Sequence, residues 1–370
     1  MRRLKLLNTE IGNSGSSSIH REMNTSIDNA RAETALGAGR ALVLWFLFFL
    51  ISFGLGYPTL NRYDARELGP DWVSYYNMVL HQDGPNDIPF GYRVLVPEIA
   101  RPFYLLAKGR IGSWNPVFFG LLVSNCLFCA TAAFLFLLIG LRVLHDLPIA
   151  LLGCTLYLLN WVVPNLFLTG LVDSSEACLM MAITWALISR RWWLLPLIGI
   201  PGGFAKQSFM LFSTLFAATW WFTSKRAERT YPQFLWVATL GGASAVSVVL
   251  AHRIVAGLTI SPLAMAAWWG CDGSCTVAIL KEFMDQEFWY AFGWLLPLGA
   301  IRINRLPKPW VAASIATALL TLGLGGYAGS LGNVCRPLFS VIGPVLTLSV
   351  ATLLAGGPTG NWGSRRTIES

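Results

Sequence analysis

Long apolar runs constrain the fold of this chain more than any other feature. Residues 116–141 and 233–257 are examples, each more than 20 residues long with almost no charge. A helix rises about 1.5 Å per residue, so such a run matches a hydrocarbon layer ~30 Å thick. Backbone polar groups in lipid are satisfied only in helices and closed barrels, and uninterrupted runs are typical of helices. The sequence therefore predicts an all-α, polytopic integral membrane protein.

Composition and charge agree with this interpretation. The 370 residues are 55% hydrophobic and only 12% charged, whereas a soluble domain is typically about a quarter charged. The formal net charge of +8 would suggest nucleic acid as the partner of a soluble protein. In a membrane protein such an excess more often reflects basic cytoplasmic loops. No nucleic-acid partner is expected, and the sequence contains no dinucleotide-binding or Walker pattern.

About ten transmembrane helices are predicted. The fifth and sixth are short and are joined through PGGFAKQS, which is typical of a helical hairpin that need not cross the membrane fully. The predicted spans are 40–57, 116–141, 148–168, 172–189, 192–204, 207–222, 233–257, 288–303, 310–328 and 334–356.

The predicted organisation is a single transmembrane domain between two tails. Residues 1–39 are expected to be a disordered cytoplasmic tail, because a basic start runs into a polar Ser/Asn/Glu-rich stretch. The transmembrane domain covers 40–356, with outer loops at 58–115 and 258–287, and 357–370 form a second cytoplasmic tail.

The distribution of charge predicts the orientation. With the N-terminus inside, the cytoplasmic side holds 17 of the 27 basic residues and 7 of the 19 acidic ones, a net +10. The outer side keeps 10 basic and 12 acidic residues, a net −2. Basic loops mark the cytoplasmic side of membrane proteins. We therefore expect a bacterial inner-membrane protein of the cell envelope with both termini in the cytoplasm.

Two pieces of the first outer loop are expected to be helices lying flat in the membrane interface. The first runs from Asp71 to about Leu80 and carries aromatic side chains suited to the headgroup region, namely Trp72, Tyr75 and Tyr76. The second runs from Tyr92 to Lys108 and is apolar along much of its length, with Arg93, Glu98 and Arg101 interspersed.

The carboxylates of this loop have two interpretations. Asp71 follows Pro70 and precedes an apolar run, so it suits the N-cap of a helix. A carboxylate at the membrane surface beside an aromatic helix also suits a general base. Asp64 has the same two interpretations, and a capping carboxylate can itself be catalytic.

Four more charged residues stand at the predicted outer ends of later spans. Asp173 and Glu176 have the spacing of a capping box, but two acids beside an apolar span also indicate a polar cavity. Lys206, at the tip of the predicted hairpin, either extends to the interface or offers a point charge to a phosphate. Arg336 poses the same choice, with a fork of donors suited to bidentate phosphate contact.

The coincidence of these residues on one side indicates an enzyme. A carboxylate to deprotonate an acceptor, with cations to hold a phosphorylated leaving group, is what a transferase with a lipid-phosphate donor requires. The residues come from widely separated parts of the chain: Asp64, Asp71, Arg93, Asp173, Lys206 and Arg336.

The cysteines and histidines do not predict a metal centre. Cys271 and Cys275 lie in the second outer loop, where a small disulfide is plausible, and two further zinc ligands are lacking nearby. The four histidines are scattered. No cofactor is predicted, although a divalent cation is compatible with the chemistry. The cysteines within spans are expected to be packing residues: Cys126, Cys129, Cys154 and Cys178.

This arrangement resembles the GT-C superfamily of membrane glycosyltransferases, which use polyprenyl-phosphate-linked sugars. The likeness covers the layout of 40–356 and is carried by five short motifs. They are DWVSYYNM (71–78), PFGYRVLVP (89–97), TGLVD (169–173), AKQS (205–208) and RPLF (336–339). The chain departs from many relatives in having no soluble C-terminal domain and in having Lys-Gln where some have Lys-Glu.

The resemblance implies roles for individual residues. An Asp of the first outer loop would be the base, which is Asp71 by motif spacing and Asp64 as second choice. Lys206 and Arg336, with Arg93, would hold the lipid phosphate. The predicted substrate-binding set is completed by Tyr75, Asp173 and Glu176. The implied reaction is an inverting glycosyl transfer to a lipid or glycan acceptor, with membrane lipid around the protein.

Three alternatives remain open at this point. A transporter or lipid flippase would show mid-membrane polar residues, paired broken helices and often an internal repeat. No repeat is evident, but glycine-rich breaks at PGGF and GLGGYAGS suit a transporter. The others are a non-catalytic membrane subunit and a different lipid-substrate enzyme, such as an acyl or phosphoryl transferase.

Overall fold

The described part of the chain is helical. The structure is a computed structural model, and it describes residues 37–62, 70–81, 92–112, 114–256, 283–328 and 334–356. Within these ranges there are thirteen α-helices and a few single turns of other helix types, and no strand. The predicted all-α class is confirmed. The predictions for both tails, for Asp64 and for Cys271 and Cys275 fall on residues outside the described ranges.

The helices in chain order are as follows: α1 (Ala38–Arg62), α2 (Pro70–Leu80), α3 (Leu95–Ala107), α4 (Pro116–Leu144), α5 (Leu147–Leu159), α6 (Asp173–Ile188), α7 (Leu195–Ala205), α8 (Gln207–Thr223), α9 (Tyr231–Ala256), α10 (Gln286–Phe292), α11 (Leu295–Arg302), α12 (Lys308–Ala328) and α13 (Cys335–Leu354). A π-helical turn, Val163–Phe167, lies between α5 and α6.

The chain divides into two compact units, Met1–Leu44 and Trp45–Ser370. The described part of the first unit is residues 37–44, which contain the start of α1. The second unit contains every other described residue, and the features below all lie in it.

Four described helices are long and apolar enough to cross a membrane: Ala38–Pro58, Pro116–Leu144, Tyr231–Ile254 and Cys335–Leu354. Three shorter apolar helices are Leu147–Leu159, Trp192–Ala205 and Lys308–Leu324. Each of the ten predicted spans contains helix, although the eighth is interrupted between α10 and α11. The helical segments are thus confirmed, whereas ten crossings and their sidedness stay predictions. The first helix also continues past the predicted end at 57, to Arg62.

Small residues bring α7 and α9 close together. A Cβ on Gly199 would stand 2.8 Å from the Leu240 carbonyl oxygen, and one on Gly203 would stand 2.4 Å from the Ser244 carbonyl oxygen. Both glycines therefore let the two backbones touch.

Lys206 is the single residue between α7 and α8, in an extended conformation. This arrangement places its side chain at the junction of three helices.

The helices α2 and α3, which lie in the predicted first outer loop, pack on α4. Trp72 and Tyr75 of α2 are 2% and 1% exposed, and they lie in one apolar core cluster with α3 and α4 residues such as Phe118. The rings of Trp72 and Phe118 are 4.4 Å apart. Both side chains are thus buried against other helices of the protein, and their expected place in the headgroup region stays a prediction.

The two ends of α6 differ in chemistry. Asp173 is its first residue, and Ser189 lies just past its last. Sixteen helical residues separate these ends by about 24 Å. At the second end Arg142 Nη1 donates to Ser189 Oγ at 2.5 Å, and Arg190 pairs with Glu228 at 3.6 Å. The acidic start of α6 and the basic turns after α4, α6 and α8 thus lie at opposite ends of this helix.

Candidate functional site

The site is built around two acids in the first turn of α6. Asp173 and Glu176 are three residues apart, so their side chains share one face of the helix. Both are almost fully buried, at 3% and 1% exposure. The residue before the helix, Val172, forms no side-chain cap, and both carboxylates bind Lys206 instead. The predicted capping box is therefore wrong, although acids in a first turn still benefit from the helix dipole.

Lys206 neutralises the acidic pair. Its Nζ lies 2.7 Å from Asp173 Oδ1 and 3.0 Å from Glu176 Oε2. Ser208 Oγ donates to the other Glu176 oxygen at 3.0 Å. Lys206 is only 8% exposed, so the interpretation as a lysine extending to the interface is wrong. Lys206 has an extended backbone conformation between α7 and α8. Its ammonium reaches the two acids of α6 from this position.

Two arginines complete the group. Arg336, in the first turn of α13, places Nη1 3.5 Å from Asp173 Oδ2 and keeps 23% of its side chain exposed. Arg93 Nη1 donates to the Tyr75 hydroxyl at 3.0 Å. The charge of Arg93 also stabilises the ionised Asp173 carboxylate and opposes the charge of Lys206. Tyr75 therefore ties α2 to Arg93, the residue whose charge acts on Asp173.

We call Arg93, Asp173, Glu176, Lys206 and Arg336 the charge cluster. It contains three cations and two carboxylates, which leaves an excess of one positive charge. Burying charges is costly unless they are paired, and every acid here has a cationic partner. Arg336 keeps part of its side chain exposed, so an anionic ligand can reach a cation of this cluster.

The candidate base lies on the helix next to this cluster. Asp71 is the second residue of α2, which begins at Pro70, so it lies inside the first turn and does not precede the helix. Its backbone position is one turn before Tyr75, the residue that binds Arg93. Asp71 is thus on the same helix as the residue that binds Arg93, a member of the charge cluster. Asp64 lies outside the described residues.

Sequence reasoning missed a polar set beside Lys206. Gln207 Nε2 and His252 Nε2 are 3.2 Å apart, and the rings of Tyr92 and His252 lie with centroids 3.4 Å apart. Burial raises the pKa of the Tyr92 phenol, so it stays neutral. Gln207 adjoins Lys206 in the AKQS motif, so the sequence did indicate that this residue lies near the site. No local signal links His252 to it, because 45 residues separate the two.

Another buried contact supports the acidic turn. Ser174 Oγ donates to Asn125 Oδ1 of α4, so the residue next to Asp173 is tied to a neighbouring helix.

The buried cysteines of the predicted spans behave as predicted: Cys126, Cys129, Cys154 and Cys178 are free thiols inside the protein. Among the described residues no group of three or more His, Cys, Asp or Glu side chains is suited to hold a metal ion.

Gly170 holds the turn that leads into Asp173, and its replacement by Ala is expected to destabilise the protein by about 1–2 kcal/mol. Its φ is +86°, a conformation that L side chains rarely adopt, and an added Cβ would lie 3.2 Å from Trp72 Nε1. Thermal unfolding in detergent measures the effect. Gly242, which has open space around it, is the matched control, because a Gly242→Ala exchange in mid-helix should not destabilise. An unchanged midpoint for the Gly170 variant would contradict this account.

Comparison with known proteins adds no relative to this description. The chain matches no family model, no curated protein and no solved structure. The chemistry of the charge cluster and its surroundings is therefore the basis on which a function is proposed.

Proposed function

We propose that this protein is a membrane glycosyltransferase that moves a sugar from a polyprenyl-phosphate carrier to a hydroxyl of a lipid or glycan acceptor. The proposal includes about ten spans, a bacterial inner-membrane location and cytoplasmic termini, with the charge cluster at the outer face. One observation carries it. Asp173, Glu176, Lys206 and Arg336, from three separate segments, meet in one ion-pair network, and Arg93 is held by Tyr75 of the helix that contains Asp71.

The cations of the cluster suit this donor. A sugar joined to a lipid through one phosphate is a phosphodiester, whose negative charge is complementary to Arg336 and Arg93. Negative charge on the phosphate grows as the sugar departs. Fixed cations in a site shielded from water stabilise such charge development without reorganising.

Arg336 is the residue best placed to contact the phosphate. Its 3.5 Å contact to Asp173 is at the long end for an ion pair, and part of its side chain is exposed. Its Nε is buried and has no hydrogen-bond partner in the described part of the chain. A guanidinium can donate from Nε and one Nη to two phosphate oxygens at once. Arg93 supplies a second cation, oriented by Tyr75.

Lys206 has a different role in the proposal. Its ammonium is held between Asp173 and Glu176, so it keeps the acidic pair ionised and in place and thereby orients Arg336. The phosphate-holding role that the family resemblance implies for Lys206 thus becomes a positioning role.

The proposed reaction is a single displacement. Asp71 accepts the proton of the acceptor hydroxyl, and the freed oxygen attacks the anomeric carbon of the sugar. The bond from that carbon to the phosphate oxygen breaks, and its electron pair leaves with the lipid phosphate. Attack opposite the leaving group inverts the anomeric configuration. The donor is already activated, so no nucleotide is required.

Arg336→Ala is expected to lower the rate of sugar transfer by about 100-fold, because a donor to the departing phosphate is lost. Transfer from a labelled polyprenyl-phosphate sugar in membranes containing the protein measures the rate. Arg253→Ala removes an exposed arginine near the end of α9 and is the matched control. If both variants transfer sugar at the rate of the unmodified protein, Arg336 does not contact the phosphate.

A further inference from the structure

The basic end of the bundle carries a feature that sugar transfer does not use. Three neighbouring segments, the end of α4 with the turn that follows it and the turns after α6 and α8, hold six basic residues and two acidic ones. These segments are joined by the Arg142–Ser189 hydrogen bond and the Arg190–Glu228 ion pair. The basic residues are Arg142, Arg190, Arg191, Lys225, Arg226 and Arg229, and the acidic residues are Asp146 and Glu228.

Arg190 occupies a backbone conformation that usually belongs to glycine. Its φ is +56°, at the point where α6 ends in a left-handed cap. The cap is closed by a hydrogen bond from Arg191 N to Ala186 O at 2.8 Å. Glycine is the common residue in such a cap because it has no Cβ to strain. The ion pair of Arg190 with Glu228 does not explain an arginine here, since both side chains are well exposed and such pairs contribute little.

An apolar surface begins directly beside this cap. Trp193, in the turn before α7, and Leu197 and Ile200 of α7 are all about half exposed. Their spacings of four and three residues put them in one stripe. A different face of α7 packs on α9 through Gly199 and Gly203. The stripe therefore points away from the bundle and towards the surroundings of the protein.

The adjoining cations fit the head of a lipid on this stripe. Arg190 projects from the cap, and Arg191 lies over the Trp185 ring at 5.0 Å, which keeps a second guanidinium at this end. Tryptophan is enriched where membrane proteins meet the headgroup layer, and Trp193 is the residue of the stripe that is nearest to the arginines in sequence. Cations directly above an apolar surface match a molecule with a phosphate head and acyl chains.

We propose that Arg190, Arg191 and the stripe of Trp193, Leu197 and Ile200 form a binding site for one anionic phospholipid. The headgroup phosphate binds the two arginines, and an acyl chain lies along the stripe. The strained backbone at Arg190 is retained because its cation is needed there. This proposal is independent of sugar transfer.

Lipid retention by the purified full-length protein tests the site. The detergent-solubilised protein is mixed with dioleoyl phosphatidylglycerol or dioleoyl phosphatidylcholine, and the bound lipid is counted by native mass spectrometry. The unmodified protein should retain phosphatidylglycerol in preference to phosphatidylcholine. Each juxtamembrane cation accounts for about a fivefold effect, so Arg190→Asn with Arg191→Gln should reduce retention about 25-fold. Asn accepts a positive φ, so this variant should unfold at an unchanged or higher temperature.

Two further variants define the outcome. Lys225→Gln with Arg226→Gln removes the same charge from exposed positions outside the proposed site and should retain the lipid as the unmodified protein does. Arg190→Lys with Arg191→Lys should also retain it. Equal loss in the Lys225/Arg226 variant would show a diffuse electrostatic effect and overturn the site. Equal retention of both lipids, or no loss in the Arg190/Arg191 variant, would overturn it as well.

If the Arg190/Arg191 variant does not fold, the site is tested on the unmodified protein by measuring how lipid retention depends on salt concentration. Phosphatidylglycerol should be released as sodium chloride rises from about 50 to 500 mM, because screening weakens exposed charge pairs. Retention that does not change with salt would overturn the proposal.

Discussion

Asp71→Asn is expected to reduce sugar transfer by about 100- to 10,000-fold while the protein stays folded and inserted. The amide has nearly the shape of the carboxylate but cannot accept the proton of the acceptor hydroxyl. Its position one turn before Tyr75, which binds Arg93, places this residue next to the charge cluster along α2. The initial rate of transfer from a labelled polyprenyl-phosphate sugar, divided by the amount of inserted protein, measures the effect.

Two further substitutions make this result specific. Asp64→Asn examines the other predicted base and should have a small effect if Asp71 is the base. Glu98→Gln is the matched control, because Glu98 lies on α3 with an exposed side chain paired to His81 at 3.3 Å. Loss of activity in Asp64→Asn alone would move the base to Asp64. Full activity in both aspartate variants would mean that neither carboxylate is the base.

Lys206→Met is expected to destabilise the folded protein by about 3–5 kcal/mol. Methionine fills a similar volume, but it leaves Glu176 without a cation and Asp173 with only the longer contact to Arg336. Both carboxylates are buried, so neither regains hydration unless the helices separate. Thermal or denaturant unfolding in detergent measures the loss, together with the yield of correctly inserted protein.

A paired substitution is the control for this prediction. Lys206→Met with Glu176→Gln removes one charge of each sign, so the cluster keeps Asp173, two arginines and the same net charge. The glutamine side chain still accepts a hydrogen bond from Ser208, which the Glu176 carboxylate accepts in the unmodified protein. This double variant should recover most of the lost stability. If Lys206→Met alone unfolds like the unmodified protein, the contacts of Lys206 are not a stabilising ion pair.

The helices of the chain are predictable because the signal for them is local. A run such as 116–141 is apolar over its whole length, and α4 covers it. The membership of the charge cluster was also predictable, since charged residues at the ends of apolar helices require partners. The pairing was not, because Asp173 is 33 residues from Lys206 and 163 from Arg336. No pattern within a helix encodes which distant helix end lies opposite.

The mistaken predictions have the same origin. Asp173 and Glu176 show the spacing of a capping box, and that spacing equally puts two carboxylates on one helix face towards a lysine. Only the position of α7 and α8, which hold Lys206 between them, decides between a capping box and an ion pair. The contact of Trp72 with Phe118 of α4 was likewise not predictable, because 46 residues separate the two. In each case the residue type was informative, but its partner depended on tertiary structure.

Sugar transfer by the purified protein in proteoliposomes tests the central claim most directly. The vesicles would contain a labelled polyprenyl-phosphate sugar and a candidate lipid acceptor, and both the glycosylated product and the leaflet of the donor would be measured. We expect a product whose anomeric configuration is inverted relative to the donor, formed by the unmodified protein and not by Asp71→Asn. Movement of the intact donor between leaflets without any product, across a panel of donors and acceptors, would contradict the glycosyltransferase and indicate a lipid transporter.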